Sequence, residues 1–227
     1  MDHIREHRSV LADAEKRLLI SIARRLPDWI NSDHLTLLAL LSMIGAGTAF
    51  AGIRTTAWSA VAVVAALTAN WFGDSLDGTL ARVRDQQRPR YGYYVDHVVD
   101  LAGTAALLAG MAASGFMTPA IAIAVLGAYF LVSAESYLAT HSIGIFRISF
   151  AGVGPTELRI LLAIGAIVVA QNPWSEVAGQ RVLLLDLSGV IATIGLAAAF
   201  VVSAMRNTRA LYLAEPMPSR NTEERAA

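Results

Sequence analysis

"GDSLDGTLARVRDQQRPRYGYYVDHVVDLAG", residues 73–103, carries five aspartates, of which four, Asp74, Asp77, Asp96 and Asp100, lie beside or inside apolar runs. Upstream it closes "AWSAVAVVAALTANWFGDSLDGTL" (57–80), and downstream it opens "YYVDHVVDLAGTAALLAG" (93–110). A helix needs about 20 apolar residues to cross the roughly 30 Å hydrocarbon core of a bilayer. The stretch therefore reads as two membrane helices joined by an arginine-rich loop, with carboxylates at the loop end of both. That reading decides the fold class.

Four more runs have the same character. They are 35–53 ("LTLLALLSMIGAGTAFAGI"), 118–140 ("TPAIAIAVLGAYFLVSAESYLAT"), 156–171 and 183–205. Hydrophobic residues make up 55% of the 227 and charged residues only 16%, against about 25% charged in a soluble domain. The expected fold is all-α: a polytopic membrane protein with six transmembrane helices. The formal net charge of zero gives no basic field for nucleic acid. With no cysteine, disulfides and thiolate metal sites are excluded. The polar start, "MDHIREHRSVLADAEKR", has no signal-peptide core, so the first span is expected to act as its own signal.

Sixteen of the eighteen Lys and Arg residues fall on one side of such a six-span chain; only Arg54 and Arg181 fall on the other. The positive-inside rule then places both termini, and the loop after residue 80, in the cytoplasm. A cytoplasmic (inner) membrane is the expected location. Residues 1–30 form a cytoplasmic segment in which Leu11, Ala14, Leu18 and Ile22 recur at helical spacing, the pattern of an amphipathic helix lying in the interface. Residues 31–207 make the membrane domain. The tail, 208–227, ends in "AEPMPSRNTEERAA", a polar, Pro-containing composition expected to be disordered.

The four aspartates have a pattern. Asp74, Asp77, Gly78 and Ala81 stand at i, i+3, i+4 and i+7, one face of a helix. Asp96 and Asp100 stand at i and i+4 on the next. The connection brings the two faces side by side, so the carboxylates converge. Each unneutralised Asp at a helix centre costs roughly 2.5–3.5 kcal/mol on insertion scales. Hard divalent cations neutralise such a group best; two Mg²⁺ ions (or Mn²⁺) balance four negative charges. A pair of metals clamps the entering and leaving oxygens of phosphoryl transfer. Gly78 and Ala81 leave room on the stripe. Arg82, followed by Arg84, Arg88 and Arg90, supplies forked donors for phosphate. The pattern suits a metal-bridged diphosphate at the cytoplasmic membrane surface.

Asp74-x-x-Asp77-Gly78-x-x-Ala81-Arg82 followed by Gly92-x-x-x-Asp96-x-x-x-Asp100 resembles the signature of the CDP-alcohol phosphotransferase (phosphatidyltransferase) family. The resemblance implies a six-helix catalytic core, a homodimer, and transfer of a phospho-alcohol group from a CDP-linked donor to a hydroxyl, with release of CMP. It implies that Asp74, Asp77, Asp96 and Asp100 are metal ligands, that Asp100 is the general base, and that Gly78, Ala81 and Arg82 bind the CDP donor. Two departures stand out. Nine residues separate Arg82 from Gly92 where eight is commoner, and Ser32–Thr36 ("SDHLT") resembles the family's Pro-Asn-x-Leu-Thr with Ser32 and Asp33 in place of Pro and Asn.

The expected function is transfer of a phosphatidyl group, from a donor such as CDP-diacylglycerol to an acceptor alcohol, in phospholipid synthesis. Arg147, Glu157 and Arg159, in the connection between the fourth and fifth runs, are candidates for the acceptor site. Glu157 equally reads as an acid suited to a helix start. "GPTE" (154–157), His97 after Asp96, and more weakly Glu135 and Tyr137, resemble the choline and ethanolamine phosphotransferase branch, in which the acceptor is diacylglycerol. His97 itself faces away from the Asp96/Asp100 stripe by helical geometry. A cation transporter is the alternative of another class. Transporter sites lie near the midplane at broken helices, and a bare cation needs neither Gly78 nor Arg82.

Overall fold

Proline and asparagine set several of the helix starts. In the computed structural model, which describes residues 4–6, 12–56, 58–143, 145–147, 154–215 and 217, Pro89, Pro119 and Pro155 each open a helix. Proline suits that position because its missing N–H has no partner there in any case. Asn31 caps the helix at Ser32 by accepting the His34 N–H at 3.0 Å.

Among the described residues there are seven helices: α1 (Ala12–Ala23), α2 (Ser32–Ala51), α3 (Trp58–Val83), α4 (Pro89–Ala113), α5 (Pro119–Ile143), α6 (Pro155–Gln171) and α7 (Leu184–Ala214). Two pairs of short strands accompany them. β1 (Ile4–Glu6) pairs parallel with β2 (Ile145–Arg147). β3 (Trp174–Val177) pairs antiparallel with β4 (Gln180–Leu183) between α6 and α7. The second pair is a tight hairpin turned by Ala178 (φ 50°) and Gly179 (φ 78°), two positive φ values in succession, as a type I′ turn requires. The all-α expectation holds apart from these strands.

Among the described residues, α2, α4, α5 and α7 are long and apolar enough to cross a membrane. The other two expected spans depart from that standard for visible reasons. α3 has 26 residues, but Asn70, Asp74 and Asp77 interrupt its C-terminal half. α6 has 17 residues. α7 continues to Ala214, so the first part of the tail expected to be disordered from residue 208 is helical instead.

α2 packs against both α3 and α4, and α5 against α7. The backbones at the α2–α4 crossing are in direct contact: a Cβ on Gly110 would collide with the carbonyl of Gly47, and one on Gly47 with that of Ala106. Gly73 does the same for α2 and α3, its missing Cβ leaving Leu35 O 2.5 Å and Ala39 N 2.9 Å from where it would stand. One cluster of buried side chains, including Phe50, Val63, Leu67, Leu107 and Val169, fills the middle. A second joins Leu19 and Ala23 of α1 to Leu35, Leu76 and Leu80. The N-terminal helix is thus packed onto α2 and α3 through one apolar face, while Leu18 stays exposed. Along α7, by contrast, Ile191, Ile194, Val201 and Val202 are exposed, as lipid-facing side chains are.

The up-and-down order gathers the starts of α2, α4 and α6 and the ends of α3, α5 and α7 at one end of the bundle. The hairpin lies at the other, where Asp186 accepts from both the backbone N–H and the hydroxyl of Thr118, each at 2.6 Å.

Candidate active site

The four aspartates sit at the first of these ends, on the last turns of α3 and the first turns of α4. One carboxylate oxygen from each of Asp74, Asp96 and Asp100 lies within 4.8 Å of the other two. Asp77 stands outside this trio. Its Oδ2 accepts from the Thr36 hydroxyl at 2.7 Å, and its backbone carbonyl accepts from the Ser32 hydroxyl at 2.8 Å. The "SDHLT" segment therefore acts on the site from α2.

Arg159 enters from the first turns of α6. Its Nη2 donates to Asp74 Oδ2 at 2.6 Å and its Nε to Asn70 Oδ1 at 2.7 Å. Asn70, one helical turn before Asp74, is held in turn by donating from Nδ2 to Ala39 O at 3.0 Å. The pair lies largely away from solvent, with Arg159 14% and Asp74 20% exposed in their side chains. Nη1 of Arg159 is buried with no hydrogen-bond partner among the described residues. A buried donor in that state costs free energy until an acceptor meets it.

The loop arginines divide by role. Arg82 folds back along its own helix, donating to Thr79 Oγ1 at 3.1 Å. Its Nη1 lies 3.4 Å from where a Cβ on Gly78 would stand, and no other residue's atoms are as near. Gly78 is thus not a helix-packing glycine like Gly73; what a Cβ there would meet is a flexible side chain. Arg84 is occupied by backbone carbonyls, Ile30 O at 2.6 Å and Leu26 O at 2.8 Å. Arg88 grips both oxygens of Asp33, at 2.5 and 2.7 Å, and lies 4.1 Å over the Tyr91 ring. The bond to Asp33 raises this guanidinium above its ordinary value, so Arg88 stays cationic. Where the family signature has Asn, this chain has an acid that ties α2 to the α3–α4 loop.

The other candidates fall as follows. Glu157 accepts the Gly154 N–H at 3.0 Å, closing the start of α6. Arg147 ends β2; its side chain lies outside the described residues, as do residues 148–153. His97 Nδ1 is 2.6 Å from Tyr93 O, and its ring packs on Tyr93 and edge-on to Tyr137. Glu135 is bound to Ser203 and Asn207 of α7 at 2.7 and 2.6 Å. Asn70 escaped the sequence reading, and Thr36 entered it only as the last residue of "SDHLT", without its bond to Asp77. A polar side chain one turn before Asp74 in an apolar run was the available signal for Asn70.

The donor set fits a divalent metal. Two oxygens on one hard cation stand at most about 4–5 Å apart, since each bond is about 2.0–2.6 Å. Asp74, Asp96 and Asp100 already meet that spacing. Arg159 offsets one carboxylate charge, and the remainder calls for further positive charge in a poorly solvated place.

Fold and site together define an α-helical membrane protein with a carboxylate centre, suited to a divalent metal, at one end of its bundle. The chain belongs to the CDP-alcohol phosphatidyltransferase family, whose profile matches residues 29–203. No curated protein matches it as a relative. Membership makes it a transferase that moves a phosphatidyl group from a CDP-alcohol to an alcohol acceptor; the family is divalent-metal dependent, and the Asp74, Asp96 and Asp100 cluster could hold such an ion.

Proposed function

We propose that this protein transfers a phosphatidyl group from CDP-diacylglycerol to the hydroxyl of a small alcohol or sugar phosphate, releasing CMP, in phospholipid synthesis. The observation that carries this reading is the convergence of Asp74, Asp96 and Asp100 within 4.8 Å, beside a buried arginine that has a donor to spare. In this reading α2 to α7 are the six spans, and α1 lies at the cytoplasmic surface of the inner membrane with both termini. A 17-residue α6 is about 26 Å long, close to the hydrocarbon thickness. The protein acts as a homodimer.

Two Mg²⁺ (or Mn²⁺) ions, held by Asp74, Asp77, Asp96 and Asp100, would supply Lewis-acid polarisation of the donor diphosphate. The chain's own residues do the rest. Gly78 and Ala81 leave space for the nucleotide along α3, and Arg82 pairs with its phosphates. Asp100 takes the proton of the acceptor hydroxyl at a carboxylate oxygen. The acceptor oxygen bonds to the β-phosphorus, the bond from that phosphorus to the bridging oxygen breaks, and CMP departs with the charge. Arg159, with Arg147 and Glu157, forms the acceptor wall; the unpartnered Nη1 favours an acceptor that carries a phosphate.

The test is direct. Purified protein is incubated with Mg²⁺, CDP-diacylglycerol and a panel of alcohols and sugar phosphates; CMP release and lipid products are followed by mass spectrometry. A parallel arm supplies CDP-choline or CDP-ethanolamine with diacylglycerol. Product only in the parallel arm would reverse donor and acceptor.

A further inference from the structure

Glu15 lies on α1, ahead of the stretch that the family profile matches. Its Oε1 accepts from three side chains on two other helices. Trp71 Nε1 donates at 2.7 Å and Ser75 Oγ at 3.4 Å, both from α3; Thr156 Oγ1 donates at 2.9 Å from the first turn of α6. The positions form a pattern. Trp71 and Ser75 each follow by one residue the two α3 positions, Asn70 and Asp74, that hold Arg159. Thr156 stands three residues before Arg159, one turn along the same helix. Two rows of contacts therefore run side by side between α3 and α6. One is made directly by Arg159. The other is made through a carboxylate supplied by α1.

α6 needs this second row. It packs chiefly against α3, and only Ala166 and Val169, toward its far end, are fully buried. Its first turns carry exposed Leu158, Ile160 and Leu161, so apolar packing does little to hold the end that bears Arg159. A guanidinium that must meet Asn70 and Asp74 at once tolerates little drift of that end.

We propose that Glu15 is a positioning residue: it pins the start of α6 to α3 and thereby holds Arg159 against Asp74. Through it the N-terminal helix becomes part of the catalytic machinery. The functional consequence rests on the transferase reading above; the pinning itself does not. Misplacing a catalytic group by about 1 Å costs up to about a hundredfold, so Glu15→Ala is expected to lower kcat/KM for the acceptor by about tenfold or more. Glu15→Gln keeps an oxygen acceptor at the same place and restores most of the rate.

The experiment combines two measurements on the full chain in lipid nanodiscs. Hydrogen–deuterium exchange over residues 155–160 is compared among wild type, Glu15→Ala and Glu15→Gln. Exchange faster in Glu15→Ala alone supports the pinning whether or not a substrate has been found; unchanged exchange in Glu15→Ala overturns it. Acceptor kcat/KM is then measured for Glu15→Ala, Arg159→Ala and the double variant. If Glu15 acts through Arg159, its substitution costs at most about twofold once Arg159 is gone. An equal loss in both backgrounds overturns the positioning role, since a general loss of stability would be felt with or without Arg159.

Discussion

Arg159 Nη2 lies 2.6 Å from Asp74 Oδ2, across 85 residues of sequence. The same guanidinium reaches Asn70 through Nε, so two polar groups one turn apart on α3 are read by one fork. Lysine carries a single point charge and cannot meet both. Arg159→Lys is therefore expected to fold yet lower kcat/KM by about 10–100-fold, in the range seen for small misplacements of a catalytic group. CMP release measured against acceptor concentration decides it. A wild-type rate would leave Arg159 with only a packing role.

Removing the metal should silence the protein. Dialysis against EDTA is expected to abolish CMP release, and Mg²⁺ or Mn²⁺ to restore it. Thermal denaturation adds a readout without turnover: CDP with Mg²⁺ should raise the midpoint well beyond Mg²⁺ alone. Undiminished activity in excess chelator would remove the metal from the reaction.

Asp96 and Asp100 share a helix face, and the roles proposed for them differ. Asp100→Asn is expected to bind CDP with Mg²⁺ nearly as wild type while turnover drops about 10²–10⁴-fold, the usual worth of a positioned base. Asp96→Asn should lose Mg²⁺-dependent nucleotide binding itself. Calorimetric titration of the two variants with CDP tests the division; identical binding defects would refute it.

Thr36→Val tests the α2 contribution. Valine keeps the shape but removes the hydroxyl that donates to Asp77 at 2.7 Å. An acceptor deprived of its partner costs about 1–3 kcal/mol, so the thermal midpoint should fall while Thr36→Ser stays near wild type. The Mg²⁺ concentration for half-maximal activity should rise in the valine variant alone.

Two glycine substitutions should fail in different ways. Gly110→Ala drives a methyl into the backbone of Gly47, and overpacking of that kind costs about 1–3 kcal/mol or more. The expected result is poor recovery of folded protein. At Gly78 a Cβ meets only the Arg82 guanidinium, so Gly78→Ala should fold normally and lose affinity for CDP. Similar folded yields for both, with similar nucleotide affinity, would sink the distinction.

The helices and the aspartates were legible because both depend on local spacing. Apolar runs of membrane length give α2, α4, α5 and α7, and spacings of three and four place Asp74 with Asp77, and Asp96 with Asp100. What could not be read is who pairs with whom across helices. Thr36 with Asp77, Asn70 with Arg159 and Glu15 with Thr156 are separated by 41, 89 and 141 residues. No periodicity encodes such pairs; they follow from crossings such as that of Gly47 and Gly110. Spacing placed Asp77 with its neighbours, whereas its rotamer, drawn toward Thr36, parts it from the trio. The β3–β4 hairpin had a signal, an Ala-Gly turn between alternating residues, but a short one beside long apolar runs.

The distance along the chain between Asp74 and Arg159 also has a consequence in time. Ribosomes add roughly 5–20 residues per second, so the 85 residues between them take roughly 4–17 s at that pace. When α3 leaves the translocon, α2 is already made. Asp77 finds Thr36 and Asn70 finds the Ala39 carbonyl at once, within the first helical hairpin. If α3 spans the membrane as proposed, Asp74 must wait at its edge without the Arg159 counter-charge until α6 is synthesised. The nascent chain is thus most easily mis-inserted in that interval, and a substitution that removes the Arg159 charge should reduce the amount of protein that reaches the membrane as well as the rate of what arrives.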